Sequence, residues 1–88
     1  MMIKELEKQL KALSNKRRLN ILSLLKERGP SAVRDIAKHI KLSLKSTSKH
    51  LLILYRANLL EREQHKLIVF YALPKDPKPL QTTTLTLL

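Results

Sequence analysis

Apolar side chains recur every three or four residues over the first third of the chain, and this period predicts amphipathic helices. In the first predicted helix they form one narrow edge, made of Ile3, Leu6, Leu10 and Leu13. The second predicted helix runs from about Lys16 to Arg28 and is apolar over a wider arc, so we expect it in the middle of the core. Gly29 and Pro30 end it, because glycine tolerates the left-handed cap and proline cannot continue a helix.

Two further helices are predicted with only a short connection between them. Ser31 can cap a short third helix from about Ala32 to Ile40. A connection of about two residues then leads to Ser43, which can cap a fourth helix that extends to Ala57. Its buried side is predicted to hold Thr47, Leu51 and Leu54. A short helix, a tight turn and a longer helix make a helix-turn-helix, whose second helix enters the major groove of DNA.

The period changes after Asn58, a residue that can end a helix in the left-handed conformation. Residues 59–63 and the β-branched and aromatic run 67–73 predict a two-stranded hairpin with its tip at about Gln64 to Lys66. A longer loop is the alternative, because the tip has neither glycine nor Asn-Gly. The predicted fold is mainly α (α+β), a winged helix-turn-helix of three to four helices followed by a two-stranded β-hairpin, the wing.

We assign residues 1–73 to this domain and residues 74–88 to a proline-containing C-terminal tail. Pro74, Pro77 and Pro79 exclude a regular helix across residues 74–79. The final QTTTLTLL alternates weakly between polar and apolar positions. We therefore expect the end of the tail either to be disordered or to add to a sheet edge.

Charge changes the interpretation of these helices. The 88 residues carry a formal net charge of +11 and a pI near 10.4, which indicates an anionic partner such as nucleic acid or a membrane surface. The positive charge is segregated, since no acidic residue lies between Glu7 and Glu27 or between Asp35 and Glu61. No apolar run approaches the roughly 20 residues that span a bilayer. The first residues lack the apolar core of a signal peptide, so we expect a cytoplasmic protein.

The start of the fourth helix is the candidate interface. Its polar face opens with Lys45, Ser46, Ser48 and Lys49. The helix dipole favours acidic residues in the first turn, and a polyanion bound at that end would offset the mismatch. Short hydroxyl side chains between lysines also suit phosphates and base edges. For an isolated helix the alternative is a solvated polar face, but the segregated charge of the chain favours nucleic acid.

Other chemistry finds little support in the sequence. There is no cysteine, which excludes disulfides and thiolate metal sites. His39, His50 and His65 are scattered, without a spacing that suits a metal ion. Glu61 and Glu63 share one face of a strand and are expected to be solvated. We predict no catalytic residue, no cofactor and no metal site, and therefore no enzyme.

Three segments resemble the ArsR-type family of winged helix-turn-helix transcriptional repressors. Residues 12–22 (ALSNKRRLNIL) are similar to the family's opening motif and residues 36–51 (IAKHIKLSLKSTSKHL) to its helix-turn-helix. Residues 59–60 (LL) and 69–73 (VFYAL) are similar to its wing. The match is nearly free of gaps over residues 10–73. It implies base or phosphate contacts from the fourth helix, from an arginine of the opening motif and from two wing residues, namely Leu44, Lys45, Ser48, Lys49, Arg18, His65 and Lys66.

The departures from the family define the kind of member that we expect. The stretch Gly29–Val33, where many members hold metal-binding cysteines, has no ligand here. The tail that stands in place of the family's C-terminal helix has only Asp76. The resemblance therefore implies a member that does not sense metals. Lys41 and Lys66 replace the family's turn and wing-tip glycines, which implies slightly different turns and adds positive charge.

We expect a homodimer, because a single helix-turn-helix reads only a few base pairs. The candidate dimer interface is the apolar edge of the first helix, and the alternative is a monomer in which leucines of the tail cover that edge. The predicted function is that of a sequence-specific, double-stranded DNA-binding transcriptional regulator acting as a repressor. The alternative is a non-catalytic winged-helix adaptor that binds RNA or another protein.

Overall fold

Five helices and a three-stranded sheet make up residues 2–88, the part of the chain that the computed structural model describes. The helices are α1 (Ile3–Leu13), α2 (Lys16–Arg28), α3 (Val33–Ile40), α4 (Leu44–Arg56) and α5 (Pro79–Leu87). The strands are β1 (Ser31–Ala32), β2 (Glu61–His65) and β3 (Ile68–Ala72), in the spatial order β1-β3-β2. This confirms the predicted winged helix-turn-helix, with one helix and one strand more than the sequence indicated.

Helix boundaries follow the capping residues of the sequence. The side chain of Asn15 accepts a hydrogen bond from the backbone N–H of Arg18 at 3.1 Å and starts α2. Ser43 accepts from the N–H of Ser46 at 3.1 Å and starts α4. Gly29 ends α2 with a φ of 77°. The predicted start and end of α2 and the predicted cap of α4 are therefore confirmed.

The third helix begins differently from the prediction. Ser31 and Ala32 form β1, paired with Tyr71 and Phe70 of β3, so that α3 starts only at Val33. The Ser31 hydroxyl donates to the carbonyl of Gly29 at 3.0 Å and does not cap the helix. A strand of two residues is too short to show a period of its own, and its partner residues lie 38 and 40 positions later in the chain.

The wing is a tight hairpin. Glu61 pairs with Ala72 and His65 with Ile68, which leaves a turn of only Lys66 and Leu67. The hairpin is confirmed and the alternative of a longer loop is wrong. Lys66 supplies the left-handed residue of this turn with a φ of 57°, at a strain of about 1–2 kcal/mol.

Lys41, the other lysine at a glycine position of the family, also has a φ of 57° and ends α3. Asn58 has a φ of 62° after α4, as its residue type predicted. Both lysines thus adopt the backbone conformation that a glycine would favour.

The core is aliphatic, and α2 lies in the middle of it. Its largest fully buried apolar side chains are Ile21, Leu22, Leu25, Ile36, Leu51, Leu54 and Leu59. Leu13 belongs to the same cluster with 8% of its surface exposed. Since Ala12 beside it is buried as well, the end of α1 packs into the domain, and Leu13 has little surface left for the predicted dimer interface.

The C-terminal tail is neither disordered nor part of the sheet. It forms α5, whose first residue, Pro79, occupies the position at which a helix accepts proline. Hydroxyls of Thr83, Thr84 and Thr86 donate to carbonyls four residues earlier at 2.9–3.0 Å, so these β-prone residues sit in a helix. Leu80 and Leu85 pack against the core, and this packing overrides the weak local preference.

Two buried glutamines hold α1 and α5 to the end of α4. The Nε2 of Gln9 donates to the carbonyl of Ala57 at 3.2 Å, and the Nε2 of Gln81 donates to the carbonyl of Leu59 at 2.6 Å. Both side chains are fully buried. The carbonyls lie in the turn that follows α4, where no helical donor reaches them.

Arg18 joins three helices. From α2, its Nε and Nη2 donate to the carbonyls of Ala12 and Lys11, at 2.6 and 3.2 Å, at the end of α1. Its Nη1 lies 3.1 Å from the Nδ1 of His50 on α4. A guanidinium can only donate, so Nδ1 must accept and the ring is neutral. Burial, together with the positive charges of Arg18 and Arg17, lowers the pKa of His50 from its ordinary value.

Substitution of Gln81 tests the docking of α5. Gln81→Ala should lower the free energy of unfolding by about 1–3 kcal/mol, because the buried carbonyl of Leu59 loses its donor. Thr83→Ala, on the exposed face of the same helix, is the control and should change stability by less than about 0.5 kcal/mol. Urea unfolding measures both, and equal effects of the two substitutions would contradict the assigned role.

His50 should make stability depend on pH. Its pKa is lower in the folded chain than the ordinary 6.5, so its contribution is complete above about pH 6.5. The contribution is lost as the pH falls through the folded-state pKa, because the unfolded chain then binds the proton more readily. Urea unfolding at pH 7.5 and 5.5 should show a smaller loss in His50→Asn, which keeps an acceptor but does not titrate. His39→Asn, at an exposed position, is the control and should lose as much stability between pH 7.5 and 5.5 as the unmodified chain. If His50→Asn also lost that much, His50 would not be the source of the pH dependence.

Candidate nucleic-acid interface

The first turns of α4 project from the domain. Thr47 and Leu51 point into the core and are fully buried, as the helical period predicted. The other side of the helix carries the predicted contact residues, which are exposed or half-buried: Leu44, Lys45, Ser46, Ser48 and Lys49. The structure thus brings these five side chains together on one surface.

This surface is electropositive. The first turn of α4 contains no acidic residue, and the helix dipole adds positive potential at the same end. Within residues 2–88 no lysine or arginine side chain pairs with a carboxylate, so neither Lys45 nor Lys49 is neutralised. Two unpaired lysines at a helix N-terminus form a site that attracts phosphate.

The wing and α4 border one groove. A cavity of about 530 Å³ lies between the start of α3, Ser48 of α4 and the wing from Leu67 to Val69. Arg34 of α3 also lines it and is exposed. Asp35 of α3 lines it as well, so the groove holds one charge of each sign. A helix and a hairpin on either side of such a groove suit a duplex, whose backbone would run between them.

The two predicted wing residues differ in whether another side chain already binds them. Lys66 is exposed at the tip, and its ammonium has no carboxylate partner in the described chain. His65 is held on the wing by Glu63, with its Nε2 3.1 Å from the carboxylate oxygen, and its ring packs edge-on against Phe70. Lys66 is therefore the freer of the two for a partner.

Arg18 makes its hydrogen bonds to other parts of the domain and not to this surface. Its three guanidinium nitrogens are engaged by the end of α1 and by His50, so little of its hydrogen-bonding capacity is left for a ligand. These bonds support a structural role for Arg18, and its DNA contact stays a prediction. The structural role could not be predicted from the sequence, because the carbonyls that Arg18 bonds are brought near it only by the fold.

Sequence reasoning missed two residues of the groove. Arg34 stands on the outer face of α3, and its charge in a basic chain was a usable signal. Leu67 is 94% exposed at the wing tip, a placement that depends on the hairpin register.

No three histidine or acidic side chains come close enough to hold a metal ion anywhere in residues 2–88. None of the five helices described is both long and apolar enough to cross a membrane.

Comparison with known proteins identifies the family. The model of bacterial regulatory proteins of the arsR family matches residues 15–62, more than half of the chain. The match spans α2, α3, α4 and the first residues of β2, and therefore contains the whole helix-turn-helix. No curated protein sequence matches the chain significantly.

Solved structures agree with this result. Reduced HlyU from Vibrio cholerae is 28% identical, with a TM-score of 0.80 over 96% of this chain and 84% of its own. The homodimeric winged helix-turn-helix DNA-binding domain of a possible ArsR-family regulator from Mycobacterium bovis is also 28% identical, with a TM-score of 0.82 over 97% of this chain and 75% of its own. NolR from Sinorhizobium fredii is 25% identical, with a TM-score of 0.81 over 96% of this chain and 80% of its own.

The fold, the basic helix-turn-helix and the family match converge on one assignment. The chain belongs to the arsR family of bacterial regulatory proteins, which are DNA-binding transcriptional regulators, typically repressors, and not enzymes.

Proposed function

We propose that this regulator represses transcription by reading the major groove of double-stranded DNA with α4. The observation that carries the proposal is the unpaired positive start of that helix, where the exposed Lys45 and Lys49 stand one turn apart beside the half-buried hydroxyls of Ser46 and Ser48. Ser46, Ser48 and Leu44 complete the surface that contacts base edges and phosphates. Binding to the chromosome places the protein in the cytoplasm.

The wing contributes a second contact. Lys66 lies at its tip, and the wing borders the same groove as Ser48. An ammonium at this place suits a phosphate of the backbone next to the major groove that α4 reads. His65 lies beside it but is shared with Glu63, so its contribution is smaller.

The regulator acts as a homodimer through α1 and α5. Ile3 is 86% exposed, and Leu6 and Leu10 are also exposed on the same edge of α1. On α5, Leu87 is 82% exposed while Leu80 and Leu85 pack into the core. The tail therefore leaves the edge of α1 open, which removes the main support for a monomer. The homodimeric state of the Mycobacterium bovis domain supports pairing in this chain.

We further propose that the protein does not sense a metal directly. Thiol ligands are absent from the sequence, and the histidines and carboxylates of residues 2–88 do not gather into a site. DNA binding then either responds to a signal other than a metal ion or responds to no signal.

Substitution of the α4 lysines tests DNA reading. Lys45→Ala or Lys49→Ala should weaken binding to an operator duplex, selected from a random pool, by about 1–3 kcal/mol if the lysine contacts a base. A lysine that contacts only phosphate should weaken binding to all sequences and reduce the salt slope by about one. Lys75→Ala is the control, because Lys75 lies beside Glu61 at the end of the wing far from Lys66. The titration is made at two salt concentrations.

Three further measurements complete this experiment. Unchanged affinity in the Lys45→Ala, Lys49→Ala double variant would refute the role of α4. Tighter binding to duplex RNA or to single strands would favour the adaptor. A tenfold change in affinity between chelator and added zinc would refute metal independence.

Substitution of Leu6 tests the dimer. Leu6→Asp should produce a folded monomer, because a carboxylate cannot be buried in an apolar seam without a partner. Operator affinity should then fall by about 10²–10⁴-fold, since two linked half-sites are replaced by one. Leu67→Asp, on the wing, is the matched control and should remain dimeric. Sedimentation at tens of micromolar measures both, and a monomeric unmodified chain would contradict the proposal.

A further inference from the structure

The wing ends in two aliphatic side chains that the fold does not use. Leu67 is 94% exposed and Ile68 is 53% exposed. Farther along β3, Val69 and Phe70 are half-buried and Tyr71 is buried. All five residues of β2 are exposed, so no neighbouring side chain shields the tip. An aliphatic residue in this position contributes nothing to the core.

Turn geometry does not explain these residues either. A two-residue hairpin turn favours glycine or asparagine, yet this one consists of Lys66 and Leu67. Lys66 accepts a strained left-handed conformation there. A cation followed by an exposed leucine therefore points to a partner with both a negative and an apolar surface.

The position of the tip identifies that partner. Leu67 and Ile68 line the same groove as Ser48 of α4 and as Arg34 and Asp35 of α3. The tip is thus continuous with the surface that reads DNA, and a duplex held by α4 passes beside it. Two side chains are too small an area for a stable protein interface, which leaves the DNA itself as the occupant.

We propose that the wing inserts Leu67, backed by Ile68, into the minor groove that flanks the major groove read by α4, while Lys66 holds the adjacent phosphate. This rests on the proposed function of α4. Aliphatic wedges in minor grooves partly unstack a base step and bend the duplex. The energy of that deformation depends on the step, and pyrimidine–purine steps such as TA yield most easily. Leu67 therefore selects the flanking sequence through deformability, at positions where α4 makes no contact.

The test compares flanking steps in an otherwise constant operator duplex. The full chain should bind a TA flank about five- to tenfold more tightly than a GC flank. Leu67→Ser should reduce this ratio to about one and leave the salt slope unchanged, since no phosphate contact is lost. Leu67→Met, which keeps an apolar wedge, should restore the preference. 2-Aminopurine placed in the flanking step should brighten on binding of the unmodified chain and stay dim with Leu67→Ser.

The outcomes separate this inference from the proposed function. An unchanged flank ratio in Leu67→Ser, or a uniform loss of affinity with every flank, overturns the wedge while Lys45→Ala continues to test α4. Failure of the unmodified chain to bind duplex DNA overturns both. A changed sedimentation rate of Leu67→Ser without DNA would show that the tip contacts a second copy, and this too overturns the wedge. Leu67 is nearly fully exposed, so matched thermal unfolding can verify that the variants fold.

Discussion

The structure depends on how the end of α4 is held. The chain leaves α4 through Asn58 in the left-handed conformation, and the carbonyls of Ala57 and Leu59 have no helical donor. Gln9 of α1 donates to the first and Gln81 of α5 to the second, both from fully buried positions. A buried carbonyl without a donor costs about 1–3 kcal/mol, a large share of the stability of so small a domain. One turn of backbone therefore fixes both terminal helices.

This constraint links the two exposed surfaces of the molecule. The thirteen residues of α4 span about 20 Å, with lysines at one end and the glutamine-bound carbonyls at the other. The helices held at the far end, α1 and α5, carry the exposed apolar residues proposed for the dimer. Arg18 adds a second connection, from the end of α1 to His50 within α4. The bonds of Gln9, Gln81 and Arg18 thus connect the helices proposed for the dimer to the helix proposed to read DNA.

Local signals predicted most of the fold, and non-local contacts account for what they missed. Asn15 and Ser43 cap their helices through bonds that span three residues, so the sequence contains the whole interaction. Strand β1 exists only because β3 lies beside it, and its two residues show no period. Helix α5 was missed because threonines and prolines are poor helix formers, and its packing on the core outweighs that preference.

The candidate site was predicted to a similar degree. The exposed face of α4 followed from helical spacing and from an N-cap, both of which are local. The burial of Leu13 and the bonds of Arg18 to the end of α1 could not be predicted, because a periodic edge and a positive charge show where a side chain stands on its helix but not which neighbour covers it. The groove beside the wing could not be predicted, since it depends on the three-strand register.

Charge and shape contribute to recognition in different ways. The chain has eighteen lysines and arginines and only seven acidic residues, so the protein attracts any polyanion. Contacts from lysine to phosphate supply affinity that falls steeply with salt and carry no sequence information. In the proposed function, discrimination comes from contacts to base edges, where the hydroxyls of Ser46 and Ser48 and the half-exposed Leu44, which suits a thymine methyl group, would act beside the two lysines. The proposed wedge at the exposed Leu67 would extend these uncharged contacts beyond the major groove.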